Sequence, residues 1–219
     1  MKYKSIFDII GPVMVGPSSS HTAGAVRLGH LARKIFGREP KRVGITFYGS
    51  FAETYKGHGT DVAVISGLLD MSPDNPDIPD GIDIARSHGI DMTIGTSDDA
   101  VDFPNTVRLS LEDDEGKLDF TGISIGGGMV EATEINGFEV KIDDENPALL
   151  IEYIDKAGII ARITARLAVE NINISTMTVS RRSRGADALM VISTDQKVPD
   201  ETVESMMKVP GIAMVTPME

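Results

Sequence analysis

The run Asp143-Asp144-Glu145-Asn146-Pro147 limits the folds open to this chain more than any other stretch. It is charged, ends in proline and is poor in apolar residues, which is the composition of a linker. The apolar pattern restarts behind it, so we expect two units, residues 1–142 and 148–219, joined by 143–147. In the second unit a strand is expected over 148–154, a tight loop at Asp155-Lys156-Ala157-Gly158 and a helix over 159–170. Strands follow over 172–180 and 187–193, flanking a turn at 181–186, then a helix over 200–207 and a strand over 212–215. The order βαββαβ folds as two helices on one face of a four-stranded antiparallel sheet, a ferredoxin-like unit. About 70 residues is small for independent stability, so pairing of this unit with a second copy is expected.

The first unit reads as mixed α/β, which makes the whole chain α+β. Ala25, Leu28, Leu31, Ala32, Ile35 and Phe36 recur at helical spacing over residues 23–36, with Gly37 as the stop. Residues 42–48 alternate Val43, Ile45 and Phe47 on one face, a strand signal. Residues 49–59 carry no periodicity and read as a loop, followed by a helix over 61–69 capped by Thr60. Residues 72–81 hold three prolines and read as a loop, ahead of a short helix over 82–88. Strands are expected over 90–94, 105–111, 117–125, 129–135 and 138–142. Asn136-Gly137 between the last two is a hairpin signal, because both positions tolerate positive φ.

Charge and composition narrow the function. With 33 acidic against 21 basic residues the formal net charge is −12, which disfavours nucleic acid and anionic membranes as partners. No apolar run approaches the roughly 20 residues of a membrane helix. The stretch Ile6-Phe7-Asp8-Ile9-Ile10 is too short and acid-interrupted for a secretory signal, so a cytoplasmic location is expected. The chain has no cysteine. It therefore cannot supply a disulfide, a thiolate metal site, a cysteine nucleophile or cysteine ligands to an iron–sulfur cluster.

The chemistry concentrates in two places. Gly16-Pro17-Ser18-Ser19-Ser20-His21-Thr22 puts three hydroxyls and a histidine just ahead of a helix. Short polar side chains there suit an anion-binding helix N-terminus, or at the simplest a cap. The second is Lys56-Gly57-His58-Gly59-Thr60-Asp61, where glycines flank a histidine and Lys56 and Asp61 are expected to pair. Both histidines are expected to precede helix starts, where the dipole disfavours the protonated imidazole and leaves a base. Their separation matches no standard metal-ligand spacing, so no metal site is expected on this chain. His30 and His88 read as structural. Gly126-Gly127-Gly128 either cradles an anion or breaks a strand; it lacks the P-loop lysine. No motif supplies a nucleophile elbow for a stand-alone hydrolase.

Together Gly16–Thr22, Gly49-Ser50, Lys56–Asp61 and Ser124-Ile125-Gly126-Gly127-Gly128 resemble the β chain of bacterial iron–sulfur L-serine dehydratase. The second unit, with Leu150–Gly158 and Asn171-Ile172-Asn173-Ile174, resembles an ACT domain. The first is also similar to the allosteric substrate-binding domain of some phosphoglycerate dehydrogenases. The resemblance implies amino-acid degradation feeding gluconeogenesis: a lyase that turns L-serine into pyruvate and ammonia, inactive without an α chain whose cysteines hold a [4Fe–4S] cluster. It implies His58 as the catalytic base and Ser18, Ser19, Ser20, His21 and Thr22 on the carboxylate-holding side. Lys56, Gly57 and Gly59 would shape the pocket. Asp155, Lys156, Ala157 and Gly158 would bind an amino-acid effector at an ACT dimer interface. Thr121-Gly122-Ile123 stand where single-chain relatives carry aromatics, so a substrate role for that segment is not implied. The other reading is a free-standing serine-sensing module without catalytic duty.

Overall fold

The computed structural model describes residues 13–218. The N-terminal stretch read above as no secretory signal lies outside them. Two compact units divide the chain, Met1–Gly137 and Phe138–Glu219. The division falls at the Asn136-Gly137 turn, where φ is 50° and 78°, both in the left-handed region that a tight hairpin turn requires.

In the first unit a π-helical turn, Ser19–Ala23, runs directly into α1 (Gly24–Phe36), which ends at Gly37 in the left-handed conformation. The next elements are β1 (Arg42–Tyr48), α2 (Gly49–His58), α3 (Thr60–Leu68) and, after a loop, α4 (Gly81–Ser87). Strands β2 (Asp91–Thr96), β3 (Asn105–Glu112), β4 (Lys117–Gly126) and β5 (Met129–Ile135) complete it. The strand order is β2-β1-β3-β4-β5, with β1 and β2 parallel and the other neighbours antiparallel. Val43, Ile45 and Phe47 are buried on one face of β1, as the alternation predicts.

Two corrections to the sequence reading matter for function. Residues 49–58 are a helix and not a loop, and the helix after them starts at Thr60 with Gly59, not Thr60, in the cap position. The physical reason is that α2 buries only Phe51 completely, so it presents no amphipathic stripe to read. Gly49 at φ 52° turns the chain from β1 into α2, and a side chain there would strike the Pro104 carbonyl.

The backbones of α1 and α3 touch. A Cβ at Gly29 would stand 2.1 Å from the Val64 carbonyl oxygen, and one at Gly67 would stand 2.0 Å from that of Val26. Reciprocal glycines therefore bring the helix that follows the serine run against the helix that follows His58.

The second unit opens with β6 (Phe138–Ile142). Its sheet contains β7 (Ala148–Ile154), β8 (Ile174–Arg181), β9 (Asp187–Thr194) and β10 (Ile212–Met218) in the order β10-β7-β9-β8, all antiparallel. Helices α5 (Ile159–Val169) and α6 (Asp200–Met207) follow β7 and β9. Leu149, Ile151, Ile163, Leu167, Met190, Ile192 and Met206 form its core. This is the expected βαββαβ arrangement. Among the described residues no helix is long and apolar enough to cross a membrane.

Candidate functional site

The serine run is not a cap placed ahead of a helix; it is the first helical turn. Ser18 alone is the N-cap, with extended backbone, and its Oγ accepts the His21 N–H at 3.1 Å. Ser19 and Ser20 lie half-buried inside the π turn, and their hydroxyls make no hydrogen bond among the described residues. Thr22 is buried, and its hydroxyl donates to the His58 carbonyl oxygen at 3.2 Å. Gly16, at φ 118°, passes so close that a Cβ would stand 2.5 Å from Thr22 Cγ2, so only glycine fits.

His21 and His58, 37 positions apart, come together with ring centroids 4.9 Å apart and planes tilted by 47°. His21 Nε2 lies 3.1 Å from Ser50 Oγ, and its Nδ1 lies 3.4 Å from Ser18 Oγ. Its ring meets Phe51 edge-on at 5.2 Å. Burial, and secondarily the nearby imidazole of His58, push the His21 imidazole below its ordinary value.

His58 is the last residue of α2, with the left-handed Gly59 as C-cap. The expectation that both histidines stand just ahead of a helix holds for neither: His21 lies inside the π turn that Ser18 caps, and His58 closes one helix before the next begins. Its Nδ1 is buried without a hydrogen-bond partner, and so is Thr60 Oγ1. Lys56 and Asp61 do not pair. Lys56 Nζ lies over the Tyr55 ring at 5.7 Å, and Asp61 Oδ1 accepts the N–H of Val62. Gly57 sits in the last turn of α2, exposed, with nothing within 4 Å of where a Cβ would stand.

Gly126, Gly127 and Gly128 all have positive φ and make the β4–β5 turn, and the Gly128 carbonyl accepts from Arg27 Nη1 at 3.0 Å. Nearby Ser124 is buried, its hydroxyl packed under Gly24 without a partner. His30 and His88 are ion-pair partners of Asp70 and Glu39, in keeping with structural roles. A cleft of about 590 Å³ beside α2 is lined by Glu53, Asp98, Asp99 and Asp102 among others. The candidate site is taken at the histidine pair, where two imidazoles and serine hydroxyls come together.

In the second unit Gly158, at φ 88°, caps α5 on its exposed loop. Asp155 is already engaged: its carboxylate accepts from Arg181 Nη1 at 3.0 Å and from the Gly185 N–H at 3.2 Å. Those bonds hold its carboxyl below the usual carboxylate range, the backbone N–H contributing most and the guanidinium next.

Residues 5–88 match the family described as serine dehydratase beta chain, and residues 148–211 match the ACT domain. A probable L-serine dehydratase beta chain from Bacillus subtilis is 51% identical over 99% of this chain and 98% of its own length. The L-serine dehydratase beta chain of Peptoniphilus asaccharolyticus is 30% identical over 94% and 93%. This chain belongs to the L-serine dehydratase beta-chain family. A D-3-phosphoglycerate dehydrogenase from Methanocaldococcus jannaschii is 27% identical over 86% of the chain but only 36% of that protein.

As a beta chain with an ACT domain, the protein carries its chemistry-bearing residues at the junction of the π turn and α2. Ser50 stood among the motif residues without an assigned role, and the sequence reading did not single out Phe51. The available signal was Phe51 and His58 standing seven positions apart, which places them on one face of a helix.

Proposed function

We propose that this chain is the beta subunit of a two-chain L-serine dehydratase that converts L-serine to pyruvate and ammonia in the cytoplasm. The observation that carries the proposal is the contact of His21 with His58, reinforced by the Thr22 bond to the His58 backbone. Among the described residues no three of His, Cys, Asp and Glu gather as metal ligands, and the chain has no cysteine. The [4Fe–4S] cluster that the family resemblance implies would be held by cysteines of an alpha chain; when bound, its iron supplies a Lewis acid for the serine carboxylate and hydroxyl.

This chain supplies the proton transfer. His58 takes the Cα proton of L-serine, and the electrons of that C–H bond form the Cα=Cβ bond. The Cβ–O bond breaks with its electron pair going to the hydroxyl, which takes a proton back from the His58 imidazolium and departs as water. The aminoacrylate then hydrolyses to pyruvate and ammonia. Ser18, Ser19, Ser20 and His21 form the wall that holds the substrate carboxylate, with Ser18 also capping the turn and Thr22 anchoring His58 from behind. Lys56 offers a cation at the rim, and Gly57 and Gly59 leave open space beside His58 where the partner's wall can approach. Asp155, Lys156, Ala157 and Gly158 form an effector loop in an ACT domain that also pairs two copies. With Asp155 bonded to the β8–β9 turn, that loop offers an effector the backbone around Lys156–Gly158.

Mixing purified chain with its alpha chain under anaerobic conditions tests the proposal. Pyruvate formation from L-serine should rise well above that of the alpha chain alone. No gain, together with serine binding by this chain, would instead favour a serine-sensing module.

A further inference from the structure

Phe51 and His58 are seven residues apart on α2, which separates them by two turns, about 10 Å along the axis. The imidazole of His21 fills that interval, 5.2 Å from the Phe51 ring and 4.9 Å from the His58 ring. Packing between two rings limits where the imidazole can lie but leaves open which of its two flipped orientations it takes. That choice is set by what its two nitrogens bond to, and here they meet serine hydroxyls on opposite sides. One belongs to the run, Ser18. The other is Ser50, on the first turn of α2, at 3.1 Å from Nε2.

Ser50 is itself rigidly presented. Gly49 turns left-handed against Pro104, the neighbouring Phe51 is fully buried, and Phe51 packs edge-on to Phe47 at 6.0 Å. His58, by contrast, has no hydrogen bond to either ring nitrogen among the described residues, and its Nδ1 is buried. Its imidazole is oriented by packing against His21 and by the Thr22 bond to its carbonyl. Whatever sets the His21 ring therefore sets the surface on which the base rests.

We infer that Ser50 is a positioning residue, whose hydroxyl fixes the ring orientation of His21 and through it the aim of His58. The inference rests on His58 being the base. It assigns a role to a hydroxyl outside the serine run, whose contribution passes through His21 to the proton-abstracting group.

The test combines two readouts on Ser50→Ala and Ser50→Thr chains. Nitrogen NMR of the full chain alone, labelled in histidine, should show the His21 Nε2 resonance displaced in Ser50→Ala and returned toward wild type in Ser50→Thr. In the reconstituted two-chain enzyme Ser50→Ala should lower kcat about 10- to 100-fold, as expected for a misaimed group, and Ser50→Thr should recover most of it. An unmoved Nε2 resonance in Ser50→Ala overturns the inference whatever the kinetics. Equal losses in both variants, or a loss of kcat matched by a loss of thermal stability, overturn it as well by reducing Ser50 to a structural part. A wild-type pair without serine turnover removes the dehydratase reading and the kinetic half of this one, while the resonances still report whether the Ser50 bond exists.

Discussion

His21 is gripped by four side chains, two hydroxyls and two rings, and the grip has a consequence for its proton. Burial costs the imidazolium its hydration, and a second imidazole alongside adds repulsion when both are charged, so His21 lies below the ordinary value of 6.5. The folded chain then binds fewer protons than the unfolded chain as pH falls below 6.5. Stability contributed by the neutral ring is present above that value and is lost as pH falls toward the lower folded one. His21 should therefore titrate by NMR with a midpoint below 6.5, and His21→Asn should flatten the loss of melting temperature in that window. A His21 midpoint at or above 6.5 would contradict the burial argument. The serine run and both histidines were legible in the sequence because hydroxyl and imidazole chemistry is carried by residue type. The role of Ser50 was not, since it depends on which ring a helix lays beside it.

At the scale of elements, the site exists because α1 and α3 approach backbone to backbone. The serine run leads into α1 and His58 sits one residue before the Gly59 cap of α3, so helix spacing sets the distance between the two motifs. A methyl group at Gly67 meets the Val26 carbonyl at 2.0 Å, an overlap no rotamer can relieve. Gly67→Ala should destabilise the chain by about 1–3 kcal/mol or more, read from the denaturant midpoint. Gly57→Ala serves as the control, because a Cβ there meets nothing within 4 Å and the position is helical. Midpoints of Gly67→Ala and wild type that coincide would show that the helices can part without cost. The strand pattern of both units was readable because alternation is a local signal. Helix α2 escaped because its ten residues bury a single side chain completely, and its fold is imposed by tertiary packing of Phe51 on Phe47 and His21.

For the whole molecule, two units were legible from the charged run at 143–147, although the chain divides between Gly137 and Phe138, and the order of elements gave the ferredoxin-like arrangement of the second. A partner was legible only through the family resemblance, with which a chain without cysteine agrees. Nothing local in a sequence shows which of its exposed faces another chain completes. In this account His58 is the group that takes the α-proton, and removing it should stop chemistry without stopping assembly. The most direct measurement is pyruvate formation by His58→Asn reconstituted anaerobically with the alpha chain, with complex formation and cluster absorbance checked in the same sample. The account predicts turnover lowered by about 100-fold or more with the assembly and cluster intact. Turnover near the wild-type rate would contradict it.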